Sequence, residues 1–328
     1  MTLPLAVLVP ALPTHERWFV ESQQAGDWSF FLSPLPLVLT AAVVVVAVAW
    51  RALALRLDRP ELGMLRPLGR LVPWVPRLLG IHLGVALLAL AATGAFITPS
   101  NDHLDGVGGN ALLLVEAALG IWLVTGWQLR TAAALVLGLA PALALVAGVT
   151  ALGECANLAA VAAFLVVVPP GPDAYGAAHP SRAHLRWALL WLRLGVGAAL
   201  IVLAFSEKLT NPAMAIDTLE HYPALDVFAL VGVHVSPETF VAIAGATELL
   251  FGLLVISGAF PQVAVLVAMV PFNATLLLFG QTEMVGHLPV YGVFLALLVY
   301  GSSEETFRAV RWLPRRSARR VAVPAAAA

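Results

Sequence analysis

The sequence predicts an all-α, polytopic membrane protein of about nine transmembrane helices, two four-helix bundle repeats behind an N-terminal leader helix. Three observations carry that expectation. Of 328 residues, 60% are hydrophobic and 11% charged, with a mean hydropathy of +0.91. A soluble domain carries about 25% charged residues because its exterior must be polar, so this chain needs lipid as solvent. Arginines gather in alternate loops, and a Glu/Gly pattern recurs at a constant offset.

Apolar runs bounded by polar or Pro/Gly clusters place spans near 34–50, 78–98, 110–128, 131–149, 156–170, 188–206, 239–258, 263–280 and 287–301. A spanning helix needs about 20 residues. Residues 1–13 are apolar but contain three prolines and no basic residue, so they fit neither a secretory signal nor a span. Sixteen of the seventeen arginines then fall on one side: six from Arg51 to Arg77, Arg130, Arg182, Arg186 and Arg193, and six from Arg308 to Arg320. Arg17 and Lys208, the only lysine, fall on the other. The positive-inside rule therefore predicts a multi-pass protein of the cell (plasma or inner) membrane, amino terminus outside and carboxyl terminus cytoplasmic. The basic tail reads first as topology and second as a patch drawn to anionic lipid; nucleic acid is not expected as a partner.

Glu116, Gly120 and Gly126 match Glu248, Gly252 and Gly258, each 132 residues on. Arg77-Leu-Leu-Gly80 resembles Arg193-Leu-Gly195, and Glu154 and Glu283 each precede the last span of a unit. The expected organisation is a leader and basic loop over 1–76, a degenerate repeat over 77–187, a second repeat over 188–301 and a basic tail over 302–328. Units with an even number of spans repeat in the same orientation, as a parallel duplication.

A carboxylate in hydrocarbon costs roughly 2.5–3.5 kcal/mol at a helix centre on insertion scales. Glu248, about nine residues into its span, must therefore be neutral, paired or facing a wet cavity. Glu116 meets the same requirement, with a packing glutamate bonded to a backbone carbonyl as the plain alternative. Glu283 and His287 are four apart and share a face on a continuous helix, a spacing suited to metal ligation or a proton relay. Lys208 follows span six and is placed to pair with Glu207, Glu248 or an anionic ligand. Asn273 offers a neutral hydrogen bond. The first repeat has Glu154 and Asn157 where the second has Glu283 and His287, so a reactive site is expected in the second half. His221 and His234 lie in the longer outer segment, where with His287 and Glu248 they form the candidate set for a divalent metal such as Zn, Fe or Cu. His82 reads as a packed histidine. The single cysteine, Cys155, excludes an intramolecular disulfide and a CxxC pair.

The second half, over about residues 190–301, resembles the DoxX-like family of small four-span membrane proteins. The residues carrying the likeness are Arg193-Leu-Gly195, Glu207-Lys208-Leu209, Glu248-xxx-Gly252 with Gly258, and Gly286-His287. A degenerate copy over about 77–170 lacks the Lys and the His. That family includes the membrane subunit of thiosulfate:quinone oxidoreductase, so the resemblance implies a four-helix unit with a redox role. The expected function is a membrane redox component exchanging electrons between an outer-side substrate or a soluble or membrane partner and the quinone pool. In it Glu248, His287, Glu283 and Lys208 would be catalytic, while Glu116 and Asn273 would contact the cofactor. A metal-dependent membrane enzyme or metal carrier with an outward-facing His/Glu site, and a proton-coupled small-solute transporter, are the alternatives. A scaffold whose polar residues serve packing is the bland one.

Overall fold

The computed structural model describes residues 26–99, 101, 104, 106–148, 151–168 and 177–314. Arg17, Asp102, His103, Asp105 and the tail arginines from Arg315 on lie outside the described residues. Among those residues every regular element is helical. Helix α1 spans Pro34–Ala54, and a 3-10 stretch, Gly63–Trp74, leads into α2, Val75–Thr93. Helix α3 spans Gly106–Thr125, α4 Leu129–Gly138, α5 Ala140–Ala147 and α6 Ala156–Val167. Helix α7, Arg182–Leu203, runs on as a π-helical segment, Ala204–Leu209. Then come α8, Pro212–His221, α9, Pro237–Ser257, α10, Pro261–Phe279, and α11, Gln281–Ser302.

Local chemistry explains most boundaries. Proline stands at the first turn of α1, α2, α8, α9 and α10, where a missing N–H costs no helical hydrogen bond. Ser181 and Ser236 cap α7 and α9 by accepting from the backbone N–H of His184 and Thr239. Gly94 and Gly258 close α2 and α9 in the left-handed conformation.

Among the described residues eight helices are long and apolar enough to cross a membrane, and large aliphatic side chains such as Val45, Val48, Val107, Leu114, Leu145, Val270 and Leu277 face outward from the bundle. This is the surface of a multi-pass membrane protein. One expected span differs. The run at 156–170 forms only the 12-residue α6, about 18 Å long at 1.5 Å per residue, short of a hydrocarbon core of about 30 Å. Pro169-Pro170 follows, and proline disfavours helix in the residue before it. The run at 131–149 is split at Leu139, where Pro141 opens α5.

The largest buried apolar cluster crosses the chain's two halves. Leu83 and Leu87 of α2, Leu123 of α3, Phe164 of α6, Leu189 and Val196 of α7, and Phe294 and Tyr300 of α11 all belong to it. Two helix pairs meet through glycine. A Cβ on Gly84 would lie 2.6 Å from the Gly120 carbonyl oxygen, and one on Gly197 would lie 2.7 Å from that of Gly252. Each distance is too short for any real side chain, so α2–α3 and α7–α9 are backbone-to-backbone contacts that only glycine allows.

Arginines cap helix C-termini at one end of the bundle. Arg77 Nη1 donates to Leu123 O at 3.1 Å, Arg51 Nη1 to Ser257 O at 2.6 Å and Arg193 Nη1 to Ile256 O at 3.2 Å. Arg130 Nε donates to Val166 O at 3.0 Å, and Arg311 Nη1 to Ala54 O and Leu57 O at 3.2 and 2.8 Å. The last carbonyls of a helix have no intrahelical donor and carry the negative end of its dipole, so a cation there satisfies both. The sequence suggested topology for these residues, a lipid-facing patch for the tail and repeat landmarks for Arg77 and Arg193, but not helix capping.

Candidate functional site

Two polar clusters lie inside the bundle. The first sits where α7 turns into the π-helical segment, a distortion that often marks functional positions. The wider turn brings the fully buried Glu207 and its neighbour Lys208 against α9. Lys208 Nζ lies 3.3 Å from Glu207 Oε2 and 3.2 Å from Glu248 Oε2. Gly245, one turn before Glu248, leaves room for the lysine stem, since a Cβ there would lie 3.1 Å from Lys208 Cβ. Ala204, Leu209, Ala246 and Leu249 form an apolar bed around the cluster. The short turn Trp28–Phe31 packs over it, with Phe31 and Phe205 rings 5.1 Å apart. Glu248 is thus paired: one ammonium stands between two carboxylates.

The second cluster is on α11. His287 Nδ1 lies 3.1 Å from the Glu283 carbonyl oxygen and 3.4 Å from Glu283 Oε1, both one turn earlier. The ring stands edge-on to Phe272 at 5.2 Å. His287 lines a cavity of ≈ 60 Å³ whose other walls include Ile97, Thr98, Cys155, Asn157 and Leu200. His287 Nδ1 faces Glu283, and the imidazole ring forms part of the cavity wall. Asn157 and His287, which the sequence aligned as counterparts, line this one cavity from α6 and α11.

Glu116 stands behind the wall rather than in it. It is fully buried, and its Oε1 accepts from the backbone N–H of Ile97 at 3.0 Å. Ile97 has φ 63°, a left-handed conformation costly for a β-branched residue. The carboxyl holds that strained loop, and with it the Ile97–Pro99 side of the cavity, in place. Its bond is to a backbone N–H, where the sequence-based alternative expected a carbonyl.

The other expected site residues lie apart. Asn273 is exposed and donates to Met269 O at 2.6 Å, with Tyr291 Oη 3.5 Å from its Oδ1. His221 pairs with Asp217 at 3.3 Å with 63% of its side chain exposed, and His234 is exposed beyond α8. Among the described residues no three His, Cys, Asp or Glu side chains gather closely enough to hold a metal ion. His82 bonds its own helix at Leu78 O, 2.8 Å away, and packs beside Gly292. Thr98 and Cys155 were missed as cavity residues. Cys155 lies two residues before Asn157, which the repeat had already matched to His287, and that proximity was the available signal.

No family model, no curated protein and no solved structure matches this chain.

Proposed function

We propose that this chain is a multi-pass membrane redox component that exchanges electrons between an outer-side substrate or partner, the electron donor, and a quinone-type acceptor, whose protons come from the His287–Glu283 pair. The observation carrying this reading is the His287 ring in the cavity wall with a carboxylate at its Nδ1. A quinone carbonyl oxygen gains a proton on reduction; an imidazole can give one from Nε2 while its other nitrogen is recharged from a carboxyl group. The largely apolar walls suit an apolar-faced acceptor that enters by parting the helices, and Lys208, held by Glu207 and Glu248, offers a cation to an anionic substrate or partner group. Under the same reading the chain is a duplicated relative of the DoxX-like proteins, with its arginine-capped end cytoplasmic; the matched glycine contacts of α2–α3 and α7–α9 support the duplication. The test is reduction of a short-chain quinone by the purified chain in nanodiscs with a chemical donor. Glu283→Gln and His287→Gln should each lower turnover by about 10²-fold or more, the scale of general acid–base contributions, with folded yield intact. Unchanged turnover removes the assignment.

One observation favours a second reading, proton-coupled transport of a small solute. The cavity of ≈ 60 Å³ holds a few waters, whereas an engineered cavity known to bind benzene measures about 150 Å³. A ring would have to part the helices; a small solute would not. Proton-gradient-dependent uptake into liposomes, without quinone binding, would favour transport.

A further inference from the structure

We infer that the arginine-rich end of the bundle carries a binding site for a phosphate-bearing anion, formed by Arg59, Arg182, Arg186 and Arg308 around a groove separate from the His287 cavity. The groove is open, with a volume of ≈ 730 Å³. Its walls come from the loop after α1, the start of α7 and the segment after α11. It therefore lies level with the ends of three helices, where lipid headgroups sit.

The charges there do not cancel. Among the described residues Asp58 pairs with Arg308 at 3.6 Å, and Glu304 turns to Arg66 at 3.3 Å, outside the groove. Arg59, Arg182 and Arg186 have no side-chain partner among those residues, and Glu305 is the one acid there without an ion pair. Arg182 and Arg186 are one turn apart in the first turns of α7, so both reach the groove from one helix face. Arg77, Arg193 and Arg311, at the same end, are spent on backbone carbonyls. Arg59, Arg182 and Arg186 are not. Guanidinium groups bind phosphate oxygens in forked, charge-assisted pairs, which makes phosphate the anion this geometry fits.

The phosphate could arrive on a lipid or free in solution, and the experiment separates the two. The full chain would be purified in detergent, and its thermal midpoint and native mass spectrum recorded with added phosphatidylglycerol, phosphatidylcholine or inorganic phosphate. Phosphatidylglycerol should bind and raise the midpoint while phosphatidylcholine does neither; an equal rise with inorganic phosphate would identify the free ion as the ligand. R182Q/R186Q should weaken the response at least about tenfold, since each juxtamembrane arginine contributes a substantial share of anionic-lipid attraction. The charge-matched R56Q/R70Q, outside the groove, should leave it intact, and R59Q alone serves should the double variant fail to fold. Equal losses in R182Q/R186Q and R56Q/R70Q, or no response of the unaltered chain to either anion, would overturn the inference.

Discussion

The guanidinium of Arg193 occupies the space that a side chain at Gly258 would need. Arg193 is fully buried, donating to Leu189 O, Ile256 O and, at 2.6 Å, Trp312 O. It ties the end of α9 to the segment after α11. Gly258 has φ 60°, so Gly258→Ala adds left-handed strain of about 1–2 kcal/mol to the displacement of a buried cation. The expected outcome is a clear drop in thermal midpoint in detergent. Gly126→Ala, beside the half-buried Arg77, should show the same sign with a smaller size. A larger loss at Gly126 would contradict this ranking.

Lys208 serves Glu207 and Glu248 together, so its removal and theirs should not add. Lys208→Met leaves two carboxylates facing each other in an apolar bed, whereas Lys208→Met with Glu248→Gln removes a charge of each sign. Contacting charges couple by about 0.5–3 kcal/mol, and removing one member of a buried pair costs more than removing both. The double variant should therefore be more stable than the Lys208→Met single, by denaturant or thermal unfolding. Simple additivity would mean that the 3.2 Å pair contributes nothing.

Glu61 supplies a pH test outside the spans. Its carboxyl is buried near Arg311, at 3.8 Å. Burial raises its pKa above the ordinary 4.5, with its own backbone N–H, the Arg311 charge and the Gln262 N–H pulling it partly back. Between the ordinary and the raised value the folded state holds a proton that the unfolded chain has lost. Stability contributed by this group is thus full below 4.5 and declines as pH climbs through the raised value. Glu61→Gln should flatten that slope in thermal midpoint against pH. A slope unchanged by the substitution would exclude Glu61 as its source.

Spans were legible because twenty apolar residues in a row have few other uses, and the pairing of Lys208 with Glu207 and Glu248 was legible because a lone lysine there needs a partner. Helix α6 was harder: its composition is that of a span, and only Pro169-Pro170 hints at its shortness. The arginines illustrate a different gap. Charge sorting accounts for their side of the membrane, but which carbonyl each reaches depends on helix register in three dimensions. Glu116 is similar, since its partner is the Ile97 backbone, and nothing in an isoleucine's identity announces a left-handed φ. Residues grouped by chemistry alone, as His221, His234, Glu248 and His287 were, carried no constraint on distance, and the structure places His221 and His234 in the exposed segment.

Cys155 offers a reporter for the cavity that either functional reading requires. It is the only cysteine, 7% exposed, and shares the cavity wall with His287. A small membrane-permeant maleimide should label it slowly in the unliganded chain, because reaction needs thiolate character and access. Any molecule that fills the cavity removes that access. At about ten times its dissociation constant a bound short-chain quinone, or a transported solute, should slow labelling about tenfold, following simple occupancy. Cys155→Ser should bind the same ligand unlabelled and with unchanged affinity, since the side-chain volumes are close. Labelling that proceeds at one rate with and without a ligand shown to bind would move the binding site away from His287 altogether.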